Sequence, residues 1–337
     1  MSMDVDVSVI WAGIVFFGVF MYVVMDGFDL GIGMLYPFVP AREDRDTMMN
    51  TVAPVWDGNE TWLVLGGAGL LAAFPVAYSI ILSGLYLPLI FMLLGLLFRG
   101  VAFEFRFRAH EGERHIWDKA FIGGSLVAAF FQGVSLGAFL SGIRVSGRSY
   151  AGTVVDWLAP FPLAAGVGVM IAYTLLGCTW LIMKTEGPLQ QRMIAVARPF
   201  AWLMLAAIAA VSVWTPLRHA QVAERWFSFP NLAFLSPVPL LVLAAVFFLL
   251  RSLRRDPHRL PFLMALAVIF LAYAGMAISI WPHIVPPYIT IWEAAAPPSS
   301  QKFTLVGTLL ILPFILLYTG WSYYVFRGKV RAGQGYH

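Results

Sequence analysis

SVIWAGIVFFGVFMYVVMDGFDLGIGMLY, Ser8–Tyr36, decides the fold class. It stays apolar for longer than the roughly 20 residues a helix needs to cross a bilayer. Yet Met25–Gly31, MDGFDLG, puts two carboxylates and two glycines where lipid makes ionised groups expensive. Further apolar windows follow at 52–74, 77–98, 117–140, 158–183, 199–214, 232–250, 260–282 and 303–326. The runs are continuously apolar and do not alternate, which excludes a closed β-barrel. The reading is an all-α polytopic membrane protein, a bundle of about nine transmembrane helices forming one domain over residues 1–337. The shortest window, 199–214, draws on flanking residues, and the second starts late if its polar opening lies outside the membrane.

Composition agrees: 60% of the 337 residues are apolar and 12% charged, too little polar surface for a soluble fold. Twelve tryptophans among 15% aromatic residues suit interfacial belts. The net charge of +4 comes from basic residues scattered through short loops, so it reports topology and a lipid bilayer, with no nucleic-acid partner. Residues 1–8 carry Asp4 and Asp6 but no lysine or arginine, so the first run is read as a retained span and not a secretory signal. Loops after odd-numbered helices hold seventeen lysines and arginines against five on the other side. The positive-inside rule then places the N-terminus outside and the C-terminus in the cytoplasm. The segment RGVAFEFRFRAHEGERH, 99–115, alternates like a strand, but directly below a membrane helix it is read as a helical extension in which Glu104 can pair with Arg108.

With the midpoint of the first helix near Tyr22, Asp26 lies roughly 6 Å and Asp29 roughly 10 Å toward the cytoplasm, on one face. Two carboxylates in such a medium do not both stay ionised unless a cation or hydrogen bonds compensate. Gly27 and Gly31, four apart, let a neighbouring backbone come close. The second window opens with VAPVWDGNETW, 52–62. Two readings stand: Asp57 and Glu60 form a capping box that shortens the helix, or the helix starts earlier and both acids are submerged. The six histidines fall in loops, helix ends or the tail, and the lone Cys178 sits in an apolar run, so no haem or metal is assigned to the chain's own ligands. Phosphate-binding loops, dinucleotide fingerprints and nucleophile elbows are absent from the sequence.

DGFDLGIGML at 26–35 and NTVAPVWDGNETWLVLGGAGLLAAFP at 50–75 together closely resemble the signature regions of subunit II of cytochrome bd-type quinol oxidases. LLFRGVAFEFR at 96–106 and ILPFILLYTGWSYYVFRGKV at 311–330 extend the likeness to the last helix, while the middle third matches mainly in hydropathy and spacing. The short outer loops are similar to those of the cyanide-insensitive branch. The resemblance implies a bacterial cytoplasmic-membrane heterodimer with a haem-bearing subunit I, joined in some complexes by a small accessory subunit. There quinol is oxidised and oxygen reduced to water at haem b and haem d type groups of the partner. Subunit II is expected to support the haem subunit, to help bring protons in from the cytoplasm, and in some members to hold a structural quinone. Val55 stands where a polar residue would be unsurprising, and Glu60 where an amide can stand, adding a second candidate carboxylate.

The proton-route candidates are therefore Asp26, Asp29, Asp57, Glu60 and Glu104. Arg99 is the cation placed to balance them or, read blandly, a snorkelling anchor. Trp56 and Trp62 are candidates for the subunit interface or a gas route, and equally for interfacial anchors. Two rivals stand beside this reading: an ion-coupled secondary transporter, and a purely structural assembly subunit whose acids brace an interface.

Overall fold

Asp6 starts the first helix. Its Oδ1 accepts from the backbone N–H of Ser8 at 2.9 Å and of Val9 at 3.4 Å, filling donors that a helix N-terminus leaves open. The computed structural model describes residues 6–255 and 257–331. Asp4, used in reading the first run as a retained span, and His337 lie outside the described residues.

Helix α1 spans Val7–Leu35, followed by α2 (Arg42–Asn50), α3 (Trp56–Ala73), α4 (Pro75–Arg108) and α5 (Arg114–Leu140). A hairpin of β1 (Val145–Ser146) and β2 (Ser149–Tyr150) leads to α6 (Pro160–Lys184), α7 (Gly187–Arg218), and the short α8 (Ala220–Phe227) and α9 (Asn231–Leu235). Then come α10 (Pro237–Arg255), α11 (Leu260–Ile280), a second hairpin of β3 (His283–Val285) and β4 (Ile289–Thr290), and α12 (Pro298–Val325). Proline opens α4, α6, α7, α11 and α12 within their first two positions, where its missing N–H would have had no partner anyway.

Each of the nine apolar windows lies largely in a helix, and among the described residues eight helical segments are long and apolar enough to cross a membrane. The ninth is α3, 18 residues or about 27 Å long, which falls short in apolarity because its first turns are Trp56-Asp57-Gly58-Asn59-Glu60-Thr61. Helix α7 does draw on residues flanking its window and reaches 32 residues. The alternating segment continues α4 as a helix to Arg108, although Glu104 and Arg108 are both exposed and form no ion pair.

Helices α1 and α12 start at the same end of the bundle. The Trp11 indole donates to the Gln301 carbonyl at 3.0 Å, and the Trp292 indole reaches Asp6 at 2.5 Å. At the opposite end Val330 N–H donates to the Lys184 carbonyl at 2.9 Å, so the described chain begins and finishes on opposite ends, as an odd number of crossings requires.

The core forms where α1 and α6 meet almost backbone to backbone. A Cβ on Gly31 would run into the Tyr173 carbonyl, one on Gly177 would lie 2.7 Å from the Gly31 carbonyl carbon, and one on Gly27 would lie 2.7 Å from the Tyr173 ring. Beside the seam Phe28 stacks on Trp180 with centroids 4.3 Å apart, and Cys178 is fully buried. Gly95 and Gly124 bring α4 and α5 together in the same way. Gly31→Ala should therefore overpack the seam by about 1–3 kcal/mol, lowering the thermal unfolding midpoint of the purified protein. Gly13→Ala, on the same helix with nothing within 4 Å, should leave it unchanged.

Candidate functional site

Asp26 and Asp29 stand three residues apart in the second half of α1 and are 1% and 2% exposed. Helix α4 brings Arg99, also 1% exposed, against them, and its Nη2 donates to Asp26 Oδ1. Arg99 is thus buried in the bundle and does not snorkel. Its Nη1 lies 3.7 Å from Glu60 Oε2 on α3, and Glu60 is 32% exposed. The face of the guanidinium lies 5.5 Å from the centre of the Trp56 ring, which stacks on Phe103, so the cation is held by both charge and an aromatic face.

Asp29 meets neutral partners instead. Asn59 Nδ2 donates to its Oδ2 at 2.8 Å, and the Tyr323 hydroxyl donates to Asn59 Oδ1 at 2.7 Å, linking α12 through α3 to α1. A second chain leaves Asp26 in the other direction. Tyr22, one turn earlier on α1, faces that carboxylate, accepts from Gln132 Nε2 at 2.6 Å, and Gln132 Oε1 accepts from Tyr173 at 2.7 Å. Asp26 Oδ2, Asp29 Oδ1, Arg99 Nε and Arg99 Nη1 have no hydrogen-bond partner from the described chain. Buried polar atoms are rarely left so, and four of them gather in this one cluster.

The remaining candidates separate. Asp57 is exposed in the first turn of α3, where Val55 is the N-cap and no side chain caps, so neither the capping box nor the submerged acid describes it. Glu104 is exposed on α4, away from the cluster. Trp62 is fully buried, edge-on to Phe17 of α1 at 5.8 Å, which makes it part of this chain's core and not an outer face. Tyr323, Gln132 and Tyr173 escaped the sequence reading, and Asn59 and Tyr22, though within the stretches it singled out, were given no role there. Gln132 had a signal, as the only amide in the apolar run 117–140.

A second charged cluster closes the α2 end. Arg106, 1% exposed, donates to Asp118 and Asp46 at 2.5 Å each, and Arg45 bonds Asp118 at 3.0 Å and the Val39 carbonyl at 2.7 Å. Tyr36 lies within 6 Å of both guanidinium groups. Counted from sequence as topology markers, Arg45 and Arg106 prove to tie α2 to α4 and α5. Among the described residues no three histidine, cysteine or acidic side chains gather as a metal site.

The model of the cytochrome bd terminal oxidase subunit II family matches residues 7–326. The chain is 30% identical to the cytochrome bd-I ubiquinol oxidase subunit 2 of Escherichia coli strain K12, over 92% of this chain and 91% of that one. It is 30% identical to the cytochrome bd ubiquinol oxidase subunit 2 of Bacillus subtilis strain 168, over 96% of each. Its fold superposes on a chain of the bd oxidase from Geobacillus thermodenitrificans with a TM-score of 0.78 at 18% identity, covering 95% of this chain and 99% of that one.

Removing one member of a buried ion pair strands the other, at about 3–5 kcal/mol, whereas removing both is far milder. Arg99→Gln should thus sharply lower the thermal midpoint of the purified protein, and Asp26→Asn combined with Arg99→Gln should recover most of the loss. A double variant no more stable than Arg99→Gln alone would show that the pair does not hold α4 to α1 in this way.

Proposed function

The chain belongs to the cytochrome bd terminal oxidase subunit II family, and from that premise we propose that it is the haem-free half of the complex, bracing a haem-bearing subunit I and delivering protons toward it. Family membership makes it a multi-pass protein of the bacterial inner membrane and part of an oxidoreductase with a subunit I as its partner. The relatives' names carry ubiquinol as the reductant, and quinol is accordingly the proposed electron donor of this complex.

The observation that carries the proton route is the buried trio Asp26, Arg99 and Asp29, set inside spanning helices and reached through Glu60, which is partly exposed. Ionisable groups at such depth are expensive and mark function by default. Reducing oxygen to water consumes a proton for every electron, so an oxidase needs a path by which protons cross half the membrane. With the seventeen-to-five distribution of basic residues, the end bearing Asp57, Glu60 and Glu104 is cytoplasmic, the N-terminus is outside and the C-terminus inside. Protons then enter at Glu60 and move on to Asp26, while Arg99 stays protonated and balances the two carboxylates, and Asp29 with Asn59 and Tyr323 forms a side branch.

Asp57 and Glu104 are exposed on α3 and α4, which also expose Leu93, Leu97 and Phe98. At the cytoplasmic end these carboxylates meet water, with Asp57 beside Glu60 at the mouth of the route and Trp56 behind it, and the apolar residues of α4 offer the face for subunit I. The five described histidines are exposed or half-buried at helix ends and loops. That placement supports assigning the haem b and haem d type groups of the proposed complex to the partner. The ion-coupled carrier reading falls with the family. The purely structural reading is kept by one observation, that the same ion pair also fastens α4 to α1.

Turnover and haem content measured together separate the two. Asp26→Asn should slow quinol-driven oxygen consumption per haem by at least about tenfold, although stranding Arg99 lowers the stability of the complex, and Asp29→Asn, on the side branch with neutral partners, should slow it less while the haem absorbance stays at the wild-type level. Asp57→Asn should likewise slow turnover less. Normal turnover with full haem overturns the route, and parallel loss of haem and turnover leaves the structural role. Purification as a colourless homo-oligomer would overturn the heterodimer itself.

A further inference from the structure

Tyr22 lies four residues before Asp26 and so on the same face of α1. It is buried near the middle of the helix, where a hydroxyl is expensive unless bonded. Its oxygen accepts from Gln132 Nε2 of α5, and the other end of that amide accepts from the Tyr173 hydroxyl of α6. Tyr173 thereby fixes which way the amide points. With its oxygen taken as an acceptor, the Tyr22 proton is free to turn to the neighbouring carboxylate, where Arg99 occupies Asp26 Oδ1 and Oδ2 has no other partner. The opposite amide orientation would draw the Tyr22 proton to Gln132 and away from the carboxylate.

We propose that Tyr22, Gln132 and Tyr173 are positioning residues which aim a hydroxyl donor at the Asp26 carboxyl and so set the pH at which that carboxyl exchanges its proton. This rests on Asp26 being a proton carrier. The groups facing Asp26 are Asp29 and Tyr22 on α1, Glu60 on α3, Arg99 on α4, Tyr173 on α6 and Tyr323 on α12. On α5 Gln132 contacts Tyr22, and Tyr273 of α11 lies near Tyr173. Among the described residues only the Tyr22 chain offers Asp26 a neutral donor, and its bonds run toward the carboxylate. The plain alternative is that the three residues merely glue α1, α5 and α6 together.

The test is the pH profile of quinol-driven oxygen consumption by the purified whole complex, for wild type, Asp26→Asn, Tyr22→Phe, Gln132→Leu and Tyr173→Phe, each normalised to haem content. A carboxylate that loses a donor holds its proton more firmly. The limb governed by Asp26 should therefore move to higher pH by about half a unit or more in Tyr22→Phe and Gln132→Leu, and less in Tyr173→Phe. Tyr22→Phe keeps the ring and its packing, so it carries the test if Gln132→Leu fails to assemble. If Asp26→Asn abolishes that limb while Tyr22→Phe superimposes on wild type, the positioning role is overturned and the route survives. If Asp26→Asn leaves the profile unchanged, the route reading falls and this inference with it. Glue alone would lower the thermal midpoint without moving the limb.

Discussion

One guanidinium against two fully buried carboxylates is the constraint around which this chain is arranged. Taking Asp26, Asp29 and Arg99 out of water costs several kcal/mol per ion, and the mutual attraction in a low-dielectric interior offsets that only with good geometry and further hydrogen bonds. Arg99 is spent on Asp26 and reaches Glu60 only at 3.7 Å. Asp29 is left to an amide and, behind it, a phenol. The site is therefore asymmetric: one acid is held by a cation, the other by neutral donors, although both come from one short motif on one helix.

Holding those groups requires several helices at once, and this explains the glycines. The seam of Gly27, Gly31 and Gly177 lets α6 approach α1 closely enough for Tyr173 to serve the chain to Asp26, while Gly95 and Gly124 set α5 against α4 one turn from Arg99. In a bilayer there is no hydrophobic effect to press helices together, so close packing and interhelical hydrogen bonds carry the association. The second cluster, Arg45, Asp46, Arg106 and Asp118, does the same at the α2 end, anchoring the segment that leads into α3 and thereby fixing where Asn59 and Glu60 enter the site. Support and the proposed proton route use the same bonds here, so a variant must be read in turnover and assembly together.

The sequence by itself determined the class of molecule, because hydropathy over a bilayer's thickness is a local property: every apolar window became helix, and the motif DGFDLG together with APVWDGNETW was specific enough to point to the family before any coordinates. Its glycine spacing foretold a close neighbour, and Arg99 stood out as the balancing cation. Tertiary structure alone decided which of the singled-out residues meet. Asp57 and Glu60 lie three apart in sequence, yet one faces outward and the other reaches toward Arg99; Trp56 braces that guanidinium while Trp62 disappears into the core. The partners Asn59, Tyr323, Tyr22, Gln132 and Tyr173 come from α1, α3, α5, α6 and α12, up to 264 residues apart. No local pattern encodes such a pairing, since a polar side chain in an apolar helix shows only that it needs a partner, and the packing of distant helices supplies it.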